Sequence, residues 1–151
     1  MLNYRELTIN EICKIEGFHE EIVVEKRVPL SGWFAGIMDD KLKDLPNGSI
    51  ARLVRQNFHL KYVIPEAILR LSKNPIAGKH YEGELINSIN AIDNDFWKSN
   101  LILCKELKEL LEKIETKEIN LPQDFEWFME EEEQDYYENV RNVILKIGME
   151  L

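Results

Sequence analysis

No window of this 151-residue chain approaches the roughly 20 apolar residues that a membrane-spanning helix needs, and residues 1–10 lack the apolar core of a secretory signal. A soluble, cytoplasmic protein is expected. Cysteine is scarce, with only Cys13 and Cys104, far apart in sequence. Cys104 falls in the apolar period of a helix, so a reduced, buried thiol is expected rather than a disulfide. Alternating apolar and polar runs are nearly missing, which argues against a sheet. The three histidines, His19, His59 and His80, have no His-x-x-x-His or Cys-x-x-Cys companion, so no metal and no cofactor is expected. Fingerprints of nucleophile elbows, phosphate loops and dinucleotide sites are also absent, and Cys13 has no base near it in sequence. No catalytic residue is assigned.

What the chain has in excess is negative charge, and its placement is uneven. Residues 1–75 carry 11 Lys and Arg against 10 Asp and Glu, a net of +1, whereas residues 76–151 carry 8 against 18, a net of −10. Such a field repels phosphate backbones and draws in cationic surfaces. Direct nucleic-acid binding is disfavoured, and a basic protein partner is favoured.

Helical periodicity dominates, and the length suits one domain with a single core. Thr8-Ile9-Asn10-Glu11 has the form of a capping box opening a short helix that Gly17 stops. Ile22-Val23-Val24 reads as an extended connector, and Ser31 as the cap of a brief helix carrying Trp33, Phe34 and Ile37. Pro46-Asn47-Gly48 is turn chemistry, followed by a helix capped by Ser49 with Ile50, Leu53 and Val54 inward. Pro65 is expected in the first turn of the next helix, where its missing N–H is harmless, and Asn74-Pro75 ends that helix. Leu85, Ile86, Ile89 and Ile92 stripe another. Asp93 or Asn94 caps a turn with Phe96 and Trp97, and Ser99 or Asn100 caps a long helix striped by Leu103, Cys104, Leu107, Leu110, Leu111 and Ile114. After an Ile119–Pro122 connector, a last helix, bent or interrupted near Glu130 to Glu133, turns Tyr136, Val140, Val143, Ile144 and Ile147 inward. The expected fold is all-α, a compact bundle of short helices packed orthogonally.

Two groups of polar residues invite a sharper reading. Asp124, Glu126, Glu130, Glu131, Glu132, Glu133, Asp135 and Glu138 are interleaved with Trp127, Phe128, Tyr136 and Tyr137. The run is either a solvated helix face or a protein-docking surface, since aromatic anchors ringed by charge are what a binding hot spot requires. A calcium site is less suited, because the acids lack the Asp-x-Asp-x-Asp-Gly order. Arg55, in turn, has the donors for an inter-helix clamp to Glu84 or Glu66. Glu84 is the better partner, because it follows Gly83 at a helix start.

The landmarks Ile50-Ala51-Arg52-Leu53-Val54-Arg55-Gln56-Asn57, Tyr62-Val63-Ile64-Pro65, Asn74-Pro75, Tyr81-Glu82-Gly83-Glu84-Leu85 and Phe96-Trp97 resemble the immunity proteins of contact-dependent growth inhibition systems. The resemblance covers about residues 45–115, leaving the first forty residues and the acidic segment 122–151 outside it. It implies a mainly helical scaffold in which Arg55, Gln56, Tyr62, Pro65, Gly83, Glu84 and Trp97 are structural. It also implies a cognate partner, the C-terminal toxin domain of a neighbouring cell's protein, commonly a nuclease, neutralised by stoichiometric binding without chemistry. On that reading Asp124, Glu126, Trp127, Glu130 to Glu133, Asp135, Tyr136 and Glu138 contact the toxin. Two other classes stay open: an acidic helical adaptor or antitoxin-like regulator of another basic protein, and a hydrolase with a metal held by carboxylates from several helices.

Overall fold

The computed structural model describes residues 3–17 and 29–151, so His19 and the Ile22–Val24 connector lie outside the described residues. Among the described residues there are eight α-helices and no strand. The chain divides into two units, residues 1–46 and 47–151.

In the first unit the capping box forms as the sequence requires. The Thr8 hydroxyl accepts the Glu11 N–H at 3.1 Å, and the Glu11 carboxylate accepts the Thr8 N–H at 3.1 Å. Helix α1 (Ile9–Ile15) follows, and Gly17, at φ +85, lies beyond its end. Helix α2 spans Pro29–Gly36. It therefore starts at the proline, two residues before Ser31, because a residue with φ preset near −65° and no N–H is suited to a first turn. Leu7 and Leu42 carry the chain past itself through a backbone bond, Leu42 N–H to Leu7 carbonyl, at 2.9 Å. Ile9, Ile12, Cys13, Phe34, Ile37 and Leu42 are buried.

The second unit holds α3 (Asn47–Arg55), α4 (Leu60–Lys73), α5 (Glu84–Ile89), α6 (Asn94–Ser99), α7 (Leu101–Glu115) and α8 (Glu130–Gly148). Helix α3 packs on α4 and α5, α4 on α7, and α8 on α5 and α7. Helices α7 and α8 run antiparallel: the Cys104 thiol donates to the Ile147 carbonyl at 3.3 Å, and Arg141 meets Glu115 at 3.2 Å further along. The periodic residues form the core as expected. Ile50, Leu53, Ile64, Leu71, Leu85, Ile89, Leu107, Leu111, Val140 and Ile147 are all fully buried. Each buried Leu or Ile contributes about 2 kcal/mol.

Three boundaries differ from the sequence expectation. Helix α3 begins at Asn47 rather than after Ser49, with the Asn47 carbonyl oxygen of its side chain accepting from Arg70 at 3.1 Å. That tertiary bond holds residues whose local chemistry favours a turn. Pro65 sits inside α4, past its first turn. An interior proline costs about 3 kcal/mol. Starting the helix at Leu60 brings Val63 and Ile64 onto the buried stripe, worth about 2 kcal/mol each, which offsets that cost. Finally, α8 is continuous through Glu130 to Glu133, and the non-helical stretch lies before it, in residues 116–129. The four glutamates occupy a first turn, where unsatisfied N–H groups and the helix dipole favour negative charge.

Candidate functional site

The sequence pairing of Arg55 with Glu84 holds. Arg55 Nη1 lies 3.3 Å from Glu84 Oε2 and donates to the Ser88 hydroxyl at 3.1 Å, while that hydroxyl donates to the Glu84 carbonyl at 2.8 Å. The other Glu84 oxygen accepts the backbone N–H groups of Lys79, at 2.7 Å, and His80, at 3.3 Å. Burial, at 2% exposure, works to raise the Glu84 pKa. The two backbone donors and the Arg55 guanidinium outweigh it and hold the carboxyl below its ordinary value. Glu66, the other partner considered for Arg55, is instead bound by Arg70 at 2.7 Å within α4. Gln56 is exposed at the end of α3, Tyr62 is half-buried in the first turn of α4, and Trp97 is buried edge-on against Phe96 at 5.0 Å.

Glu84 thereby ties down the loop from Pro75 to Gly83, and α8 rests against that loop. The Tyr136 hydroxyl donates to the Pro75 carbonyl at 2.7 Å. Gly83 has φ +89, and a Cβ there would lie 2.7 Å from Tyr136 Cδ1. Only glycine accommodates both the backbone conformation and the ring. Burial pushes the Tyr136 phenol well above its usual range, so it remains a neutral donor.

Above this floor opens a groove of about 480 Å³ lined by Tyr81, Glu82, Trp127, Glu132, Asp135, Tyr136 and Asn139. Trp127 and Tyr136 stand 5.3 Å apart and tilted, with Phe125 edge-on behind Trp127 at 4.7 Å. The Tyr81 ring is half exposed, its hydroxyl accepting from Asn87 at 2.6 Å. Of the residues singled out in sequence, the groove gathers Trp127, Glu132, Asp135 and Tyr136. Asp124, Glu126, Glu130, Glu131 and Glu138 are exposed outside its lining, and Glu133 is half-buried, raising the pKa of Tyr137 after burial has already done so. Tyr136 is 4% exposed, so it shapes the groove from beneath. Phe128, beside the groove residue Trp127, is 89% exposed.

Tyr81, Glu82 and Asn139 were missed as site residues. Asn139 was within reach of the pattern, since Glu132, Asp135, Tyr136 and Asn139 follow the i, i+3, i+4, i+7 spacing of one helix face. Tyr81 and Glu82 reach the groove through the fold of the loop, where the Gly83 N–H returns to the Ile76 carbonyl at 3.0 Å. Burial pushes the Cys13 thiol up to about 11 and raises that of Cys104, which keeps both protonated. Among the described residues no group of three or more His, Cys, Asp or Glu is arranged to hold a metal ion, and no helix is long and apolar enough to cross a membrane.

Fold and groove together define an all-α protein that turns an acidic, aromatic-floored surface outward. A family model described as CDI immunity proteins, those of contact-dependent growth inhibition, matches residues 14–107, and the chain belongs to that family. No curated protein matches it. Membership makes the chain an immunity protein in the coarse sense, one of a generally non-enzymatic family whose members bind and neutralise a toxin protein. The match reaches further toward the N-terminus than the resemblance over 45–115, taking in residues 14–44, and stops at 107. The acidic segment 122–151 lies beyond it.

Proposed function

We propose that this chain neutralises its cognate toxin, the C-terminal domain of a delivered protein, by direct stoichiometric binding in the cytoplasm, without chemistry of its own. The toxin is a nuclease, and the segment from Asp124 to Glu138 covers its basic nucleic-acid cleft. The observation that carries this reading is the groove in which aromatic rings stand together with carboxylates that have no cationic partner among the described residues. From Glu118 to Val140 the chain has no Lys or Arg at all. Carboxylates in that number accelerate encounter with a cationic surface, and the rings supply desolvated contact area once it has docked. A polyanion-binding cleft is such a surface.

Co-expression with the toxin domain encoded beside this chain tests the reading, scoring growth rescue and co-purification together. Rescue with a one-to-one complex is expected. Rescue without a complex would defeat direct binding, and failure of both would give first place to regulation of some other basic protein.

A further inference from the structure

We infer that the groove between the Tyr81-Glu82 turn and the first half of α8 receives an arginine side chain presented by a loop of the toxin. The inference rests on the immunity reading and names the chemistry of its contact. Two features of the groove converge on a guanidinium. Glu82, Glu132 and Asp135 line it, and none of them has a cationic partner among the described residues. Carboxylates lining one groove without a counter-charge make a negative field that draws in a cation from outside. Two aromatic rings face the same space, Trp127 and the half-exposed Tyr81. A planar cation stacks on such rings while its edge bonds to carboxylates, whereas an ammonium offers only a point charge and stays more strongly hydrated. The volume, about 480 Å³, exceeds one side chain, so the flanking backbone of the toxin loop enters as well. Asn139, at the groove's end, offers an amide able to donate to or accept from that backbone.

The arginine is tested first alone. The full chain is titrated with N-acetyl-arginine amide and, in parallel, with N-acetyl-citrulline amide, its uncharged isostere, while the indole N–H resonances of Trp33, Trp97 and Trp127 are followed by NMR. The expected result is a saturable shift of the Trp127 signal with arginine, needing at least about tenfold more citrulline for the same change, and lost in E132Q/D135N. Glu132 and Asp135 are exposed, so this variant keeps the fold. Equal response to the two amides, or movement of all three indoles alike, overturns the inference. The second arm uses the toxin domain encoded beside the chain. E132Q/D135N is expected to weaken its Kd at least about tenfold, and E106Q/E109Q, which removes equal charge from an exposed face of α7, less than about threefold. If the wild type protects and binds but both pairs weaken it equally, the groove is wrong and the immunity reading stands. If the wild type neither protects nor binds, both fall.

Discussion

Glu84 and Glu132 are the same side chain put to opposite uses. Glu84, and Glu66 with it, is withdrawn from water and saturated: every oxygen of Glu84 has a donor, and Arg70 closes on Glu66. The carboxylates of Glu82, Glu132 and Asp135 stay in solvent around a groove, with no cation facing them among the described residues. A satisfied charge has nothing left to offer a partner and serves only to fix the loop that it closes. An unsatisfied one contributes little to the fold and remains available to a partner. The family match follows this division in part: it contains Arg55, Glu66 and Glu84 and ends before α8 begins, so Glu132 and Asp135 lie beyond it, while Glu82 lies within it.

The sharpest way to break this contrast is to remove Glu84. Glu84→Ala leaves two backbone N–H groups without their acceptor and the guanidinium without its carboxylate, and should cost about 3 kcal/mol in urea unfolding, against about 1 kcal/mol for Arg55→Ala, which is 38% exposed. The double variant should lose less than the sum of the two, and strict additivity would sever the pair. Next comes Gly83→Ala, expected to destabilise by about 2 kcal/mol because the new Cβ meets the Tyr136 ring and the residue must keep a positive φ. Tyr136→Phe removes one buried hydrogen bond to Pro75 and should cost about 1 kcal/mol, read as a lowered thermal midpoint.

Smaller still is a pH effect. The Glu84 carboxyl titrates below its ordinary 4.5, so its stabilisation is fully present above that pH and is lost as pH falls through the lower folded value. Glu84→Gln should therefore show a shallower loss of stability below pH 4.5 than the wild type; parallel acid limbs would mean that the carboxylate is not the group responsible. On the other side of the comparison, replacing Glu130, Glu131, Glu132 and Glu133 by Gln should shift stability by less than about 1 kcal/mol, since first-turn dipole gains and mutual repulsion nearly cancel. The same variant should slow toxin association about tenfold and flatten its dependence on salt, and unchanged kinetics would remove this turn from the interface.

Much of the scaffold was legible because it is written in local periods and reciprocal caps. The stripes of α7 and α8, the Thr8–Glu11 box and the Asn74-Pro75 stop are decided within a turn or two of chain. The Arg55–Glu84 pair was legible for another reason, since a helix-start carboxylate beside a glycine attracts a cation wherever the fold allows it. What escaped was set at a distance. Asn47 and Gly48 read as a turn until Arg70 reaches back to Asn47. Pro65 reads as a first-turn residue until the burial of Val63 and Ile64 outweighs its penalty. The acidic run disclosed its charge but not which of its members share a cavity, because Tyr81 and Glu82 arrive there through a loop folded on Glu84. Nor does the alternation of acids and rings say that Tyr136 faces down and Phe128 out.

The bond from the Tyr136 hydroxyl to the Pro75 carbonyl bears on protein engineering. It joins α8 to the turn after α4, across 61 positions of sequence. Residues 122–151 are consequently not a cassette. Transplanted onto another helical protein, the acidic segment would carry its rim but leave its floor behind unless a proline carbonyl and a side-chain-free Gly83 equivalent travelled with it. Retargeting the groove to a new toxin is better attempted at Glu82, Glu132, Asp135 and Asn139, with the tyrosine and its two anchors left in place.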